Sequence, residues 1–310
     1  MAASGSKKVV YAALAGNGLI AVTKFAAASY TGSSAMFSEA IHSLVDTGNQ
    51  ALLLFGMHRA AKPADKAHPF GYGKEVYFWA FVVAILIFAL GAGVSIYEGI
   101  AKLRYPHPVT GVYINYLVLA VAMLFEGGAW LVALREFRTT KGPDGYLTAI
   151  RDSKDPTVFT VLFEDSAAML GLVIAFAGIA IGQWTGQPIF DALASIGIGA
   201  VLAVTAAFLA YECKGLLIGE AASPAVVAGI EAIAEASDGT LRINEIRTLH
   251  FGPEDVLVTL SLDFADSLSS ADVEAEISAM EQQIKEKFPA VSRVFIEAQS
   301  WTSHLAATRR

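Results

Sequence analysis

Apolar residues dominate six stretches long enough to cross a membrane, and past residue 220 the pattern breaks into short alternating and helical segments. A helix needs about 20 predominantly apolar residues to span a 30 Å hydrocarbon core. Stretches of that length can be drawn at 9–29, 35–57, 77–99, 113–134, 157–182 and 189–211. The third is the clearest, since no charge interrupts Phe78 to Ile96. The first is not read as a signal peptide, because Asn17 and Lys24 sit inside its apolar run and no small-residue cleavage site follows a short core. Downstream, VLVTLSLDF (256–264) alternates with Val256, Val258, Leu260, Leu262 and Phe264 on one side, the pattern of a half-buried strand. Val273, Ile277, Met280, Ile284 and Phe288 recur at helical spacing behind Ser269 and Ser270, and RVFIEA follows as a further strand. With a helix at about 224–237 and a strand at 242–251, the order is α-β-β-α-β, an α+β domain of ferredoxin-like type. The expected fold is therefore an α-helical membrane protein with six transmembrane helices (1–218), followed by a small α+β ferredoxin-like cytoplasmic domain (219–310).

Composition agrees with that class. The 310 residues are 55% hydrophobic and 16% charged, with a mean hydropathy of +0.51, too apolar for an ordinary soluble domain of this length. Lys and Arg cluster before span 1 (Lys7, Lys8), between spans 2 and 3 (Arg59, Lys62, Lys66, Lys74) and between spans 4 and 5 (Arg135, Arg138, Lys141, Arg151, Lys154). The opposite side has only Lys102 and Arg104, so the positive-inside rule puts both termini in the cytoplasm. Residues 221–310 hold 7 basic and 14 acidic residues, which accounts for the whole net charge of −7. That balance argues against nucleic acid as a partner. Cys213 is the single cysteine, so no intrachain disulfide forms.

The informative residues are the polar ones inside the spans. Span 2 carries Glu39, His42, Asp46 and Asn49 within SEAIHSLVDTGN. Ionisable groups in hydrocarbon are retained where they face a protein interior or a watered path. His42 and Asp46 are four apart, hence on one helix face and close enough to share one metal ion, and an imidazole with a carboxylate suits zinc or a similar divalent ion. At about 1.5 Å rise per residue, Asp46 lies roughly 12 Å from the inner face and Asp165 of span 5 about 13 Å from it. Glu126 and Asn17 fall near the same level. One polar residue in a span can simply lock two helices together. Carboxylates and an imidazole from three spans at one depth point to a cation site.

SEAIHSLVDTGNQ, HPFGYGKEVYFWA, LFEDSAAMLG and the Pro188-Ile189-Phe190-Asp191 start of span 6 carry a resemblance to the cation diffusion facilitators, and within them to the zinc transporter 9 branch. It runs from about Val9 to Ala298. That family consists of homodimeric zinc-type transporters with six spans and a cytoplasmic ferredoxin-like domain. The resemblance implies a transport site of His42, Asp46 and Asp165. Where typical members have a fourth ligand, four residues before the span 5 aspartate, this chain has Val161. Glu164 is adjacent to Asp165 but about 100° away around an ideal helix; it is a candidate substitute ligand, proton carrier or partner for another span, Lys24 being a cationic choice, and Asn49 is a further candidate ligand. The family's loop between spans 2 and 3 can bind a second ion; its positions read Asp65, His68 and Tyr72, with a folded-loop role for His68 as the alternative. Lys74 and Glu220 correspond to positions that pair at the dimer centre in relatives. In the cytoplasmic domain the relatives' metal-binding positions read Asn244, Ser261, Glu297 and Gln299, which implies loss of that binuclear site, and His250 and His304 read as surface histidines.

The resulting expectation is a non-enzymatic, proton-coupled efflux transporter for divalent cations, with Zn2+ as substrate, H+ as counter-ion and alternating access in a homodimer within the lipid bilayer. Zinc requires deprotonated ligands, so protons and metal compete for the same atoms, and a histidine with a reference pKa of about 6.5 changes charge near physiological pH. The membrane is the cell inner membrane in a bacterium or an organelle membrane in a eukaryote. Gly91-Ala92-Gly93 and Gly197-Ile198-Gly199 permit close helix packing. Two other classes remain: a membrane metal sensor or scaffold, and a membrane-embedded zinc enzyme, which usually needs an open coordination position and a dedicated base such as HExxH supplies, a motif absent here.

Overall fold

In the computed structural model the described residues are 3–140, Gly145 and 154–308. Lys141 and Arg151, counted in the charge asymmetry, lie outside them. Six long helical stretches come first: α1 (Ala3–Thr31), α2 (Ser34–Ala60), a third made of α3 (Glu75–Leu86), a π-helical segment (Ile87–Ala92) and α4 (Gly93–Arg104), then α5 (Val112–Thr140), α6 (Pro156–Thr185) and α7 (Ile189–Ile218). Among the described residues, four of these stretches are long and apolar enough to cross a membrane: Glu75–Arg104, Val112–Arg135, Phe159–Thr185 and Ile189–Ile218. α1 and α2 carry more polar residues, and α2 turns most of them inward: Ser34, Ser38, Glu39, His42, Ser43 and Asn49 are all buried. Phe88, Leu124, Phe125 and Val204 point outward instead, as side chains facing lipid do.

Local chemistry sets the helix ends. Gly32 takes a left-handed φ of 66° between α1 and α2, a conformation that costs a glycine nothing because it has no Cβ. Asp155 caps α6 by accepting from the Thr157 amide at 2.9 Å, with Pro156 in the first turn where no donor is needed. The third helical stretch and α7 pack almost backbone to backbone: a Cβ at Gly99 would lie 2.7 Å from the Ala192 carbonyl, and one at Gly199 3.0 Å from the Ala92 carbonyl.

The chain separates into two compact units, residues 1–58 with 76–214, and 59–75 with 215–310. The second contains α8 (Pro224–Glu235), β1 (Thr240–Gly252), β2 (Asp255–Phe264), α9 (Ser270–Lys287), β3 (Val291–Ala298) and α10 (Trp301–Thr308), the last of which the sequence pattern did not suggest. The sheet order is β1-β2-β3, with β1 and β2 antiparallel (Ile246 opposite Leu260) and β2 and β3 parallel (Leu260 opposite Ile296). A parallel neighbour requires a crossover, and α9 supplies it behind a capping box of Ser269 and Asp272. Val256, Val258, Leu260, Leu262 and Phe264 are buried together with Ile230, Ala234, Met280 and Ile284. Each such aliphatic side chain contributes about 1.5–3 kcal/mol by leaving water.

The loop 59–75 packs within this second unit. Phe70 stacks on Phe251 with centroids 4.9 Å apart, and Arg293 donates to the Phe70 carbonyl at 3.1 Å. Lys74 Nζ lies 3.5 Å from the Leu217 carbonyl.

Candidate metal site in the membrane helices

α2 presents Glu39, His42, Ser43, Asp46, Asn49 and Gln50 along one side, the spacing that stacks side chains on a helix face. α6 brings Glu164 and Asp165 against them, α5 brings Glu126, and α1 brings Asn17 and Lys24. A cavity of about 460 Å3 opens among them, lined by Asn17, Ser43, Asp46, Glu126, Glu164 and Asp165 together with Val161.

His42 lies behind the cavity wall, buried, with Nδ1 3.4 Å from Asp46 Oδ1. The two approach without hydrogen-bond alignment. Neither ring nitrogen of His42 has a hydrogen-bond partner, nor do Asp46 Oδ1, Asn49 Oδ1 and Glu126 Oε2. Buried polar atoms are nearly always satisfied, so unpartnered donor atoms around one polar cavity suit a ligand with positive charge. A divalent ion accepted by imidazole nitrogen and carboxylate oxygen fits that donor set. Among the described residues, no three His, Cys, Asp or Glu side chains already converge at metal-binding distance. His42, Asp46 and Asp165 therefore share a region and would have to close further around an ion.

Glu164 does not meet Lys24. It is buried and accepts from Asn49 Nδ2 at 2.7 Å, so one candidate donor orients the other across the α2–α6 interface. Asn17 donates to Gln50 at 3.1 Å, joining α1 to α2. Lys24 is completely buried and spends its three N–H groups on Glu39 (3.1 Å), Ser43 (2.8 Å) and Glu126 (2.7 Å). That cluster was only half legible beforehand. A lysine inside an apolar run demands a partner, but helix periodicity does not say which span provides it.

Lys102 corrects the reading of loop charges. It is buried and paired with Asp191 at 2.7 Å, and it also donates to the Gly32 carbonyl at 2.7 Å. Asp191 additionally accepts from Ser33 Oγ and the Ser34 amide. Lys102 thus ties the α1–α2 turn to α4 and α7, and only Arg104 remains as a solvent-facing charge in that stretch.

In the loop 59–75 the Asp65 carboxylate accepts from the Ala67 amide (2.8 Å), the His68 amide (2.7 Å) and the Tyr72 hydroxyl (2.7 Å). His68 stacks on Tyr72, centroids 4.2 Å apart, with Nδ1 3.7 Å from Asp65. Both carboxylate oxygens are engaged in organising the loop. The Tyr72 hydroxyl is the main influence holding the Asp65 carboxyl below its ordinary value, and the same bond raises the Tyr72 phenol.

In the C-terminal unit Asn244 donates to Ser261 (3.3 Å) and to the Gln299 carbonyl (2.7 Å), and His304 Nδ1 donates to the Gln299 side chain at 3.0 Å. The Asn244 amide nitrogen is thus engaged, while its Oδ1 is buried without a hydrogen-bond partner. His304 has a partner after all, and His250 is buried against the Gly252 carbonyl at 3.1 Å; it is no surface histidine.

The cation efflux transmembrane domain matches residues 10–218, two thirds of the chain. The protein belongs to that family. It is 37% identical over 84% of its length to the proton-coupled zinc antiporter SLC30A9, mitochondrial, of Xenopus laevis, and 36% identical over the same share to that of Homo sapiens. It spans 47% and 46% of those two proteins, a little under half of each. The cation-efflux pump FieF of Shigella flexneri is 25% identical, with 91% of this chain and 89% of the pump aligned. Among solved structures, a nickel form of a MamM C-terminal-domain variant covers 25% of this chain and 98% of its own at 15% identity, with a TM-score of 0.24.

Proposed function

We propose that the protein is a proton-coupled efflux transporter for divalent metal ions, with zinc as substrate, acting by alternating access in a homodimer. The observation that carries this reading is the carboxylate-lined cavity between α2, α5 and α6, with His42 and Asp46 on one helix face and Asp165 opposite. Membership of the cation efflux family supports a transport role over that of an enzyme. The relatives named as zinc antiporters support the ion and the proton.

On this reading, residues 1–218 form the six-span transport domain with both termini in the cytoplasm, and 219–310 form a ferredoxin-like domain. The inward polar faces of α1 and α2 support their crossing the membrane despite lower hydropathy, because the bilayer meets only their other sides. The metal takes His42, Asp46 and Asp165, with Glu164 held by Asn49 at the edge of the ligand set. Protons displace the metal because each ligand atom holds one or the other. The Asp65 and His68 loop serves chain folding, since its carboxylate already has three donors.

Zinc uptake into sealed proteoliposomes under an imposed pH gradient tests the proposal. Flux that follows the gradient supports antiport. Zinc binding without flux would instead indicate a sensor or scaffold.

A further inference from the structure

The buried ammonium of Lys24 has no role in the His42, Asp46 and Asp165 site, yet it stands beside it. Its three bonds go to Glu39, Ser43 and Glu126, so it is saturated as a donor. The two carboxylates differ in kind. Glu39 is fully buried and does not line the cavity, and its Oε1 is wedged against Gly171 so closely that a Cβ there would collide with it. Glu126 is the one carboxylate among the described residues that both pairs with Lys24 and lines the cavity with Asp46, Glu164 and Asp165. Its Oε1 is held by the lysine and its Oε2 has no partner. Across the same cavity Val161 occupies the wall with no donor atom at all.

We propose that Lys24 is a tethered counter-ion that exchanges with the transported divalent cation for Glu126, so that Glu126 of α5 supplies the ligand oxygen Val161 lacks. This rests on the reading of the cavity as a metal path. With no ion bound, the ammonium neutralises Glu126 and so spares the cavity one unpaired carboxylate in a low dielectric. An arriving divalent ion repels the ammonium and offers Glu126 twice the charge. Lys24 then retains Glu39 and Ser43, and its flexible four-carbon stem absorbs the retreat. Glu39 is the parking partner, and Gly171 preserves the space that lets it stay. When the metal leaves, Lys24 returns to Glu126, so that carboxylate is never left without a cation.

The test is zinc titration of the purified full-length protein against a competing chelator. Glu126→Gln keeps shape and a hydrogen-bond acceptor for Lys24 while removing the charge, and it is expected to weaken zinc binding at least tenfold. Lys24→Met combined with Glu39→Gln removes the competitor and its parking partner together, leaving the charge balance of the pair unchanged; it is expected to bind zinc at least fivefold more tightly. Should Glu126→Gln fail to give monodisperse protein, the double variant decides alone. Wild-type affinity in either variant overturns the exchange. Asp46→Ala serves as the reference: loss of binding there together with wild-type affinity in the other two overturns only the Lys24 proposal, whereas retained binding in Asp46→Ala overturns the metal path and the exchange with it.

Discussion

Asn49 of α2 donates its side-chain amide to Glu164 of α6 across 2.7 Å, and both groups are buried. The bond joins the two helices that carry the proposed ligands His42, Asp46 and Asp165, and so constrains their rotation relative to each other. Glu164→Gln keeps an oxygen for Asn49 and removes the charge. We expect the variant to express and fold normally while zinc flux into proteoliposomes falls several-fold or loses its dependence on the pH gradient. Unchanged flux and unchanged pH dependence would reduce Glu164 to a packing role. Asn49→Ala leaves the Glu164 carboxylate buried without its donor, and a lost hydrogen bond to a charged group costs about 1.5–3 kcal/mol. A lowered thermal midpoint in detergent is the expected sign.

Asp46→Ala and Asp165→Ala are expected to reduce zinc flux to background. Both carboxylates line the cavity and neither forms a described ion pair with Lys or Arg, so their loss leaves no buried cation orphaned. Elution volume in size-exclusion chromatography should stay that of the wild type. Near wild-type flux in either variant would remove that residue from the site.

Lys102 and Asp191 form a buried pair at the far end of the bundle from α2's C-terminus. Removing one partner of such a pair typically costs about 3–5 kcal/mol, because the other charge is left in a dry interior. Lys102→Met should therefore destabilise strongly in thermal unfolding, and adding Asp191→Asn should recover part of the loss. No recovery in the double variant would show that the contacts of Asp191 with Ser33 and Ser34 dominate.

For the C-terminal unit, the Asn244 amide, the Ser261 hydroxyl and Gln299 bond to one another, which leaves Glu297 as the one carboxylate among the four positions. Calorimetric titration of full-length Asp46→Ala, with the membrane site disabled, is expected to show no submicromolar zinc site. A tight site that disappears on His304→Ala would contradict this.

The loop 59–75 carries a pH dependence of defined sign. Asp65 is held below its reference value of 3.8 by Tyr72, so its contribution to loop order is present above about pH 4 and is lost as pH falls through the folded-state value. Carbon-detected NMR titration should give Asp65 a midpoint below 3.8, and Tyr72→Phe should raise it. An unmoved midpoint would assign the depression to the Ala67 and His68 amides.

Local period in the residues carries the long apolar helices, the alternating strand 256–264 with its buried side, the helix behind Ser269, and the stacking of His42 over Asp46. Those follow from 3.6- and 2-residue repeats that each segment writes into its own residues. Depth likewise follows from rise per residue alone, which puts Asn17, Asp46, Glu126 and Asp165 near one level without any knowledge of contacts. Partnership came from the packing of the helices alone. Lys24 chose Glu39 and Glu126 over Glu164, Glu164 turned to Asn49, Lys102 withdrew from the surface to Asp191, and Asp65 closed its own loop. Each depends on how far one helix is rotated and slid against the next, and that is set by interdigitating side chains and close glycine contacts such as Gly99 on Ala192. Local periodicity leaves those two variables free, so the polar residues around the cavity were readable in the sequence and their pairing was not.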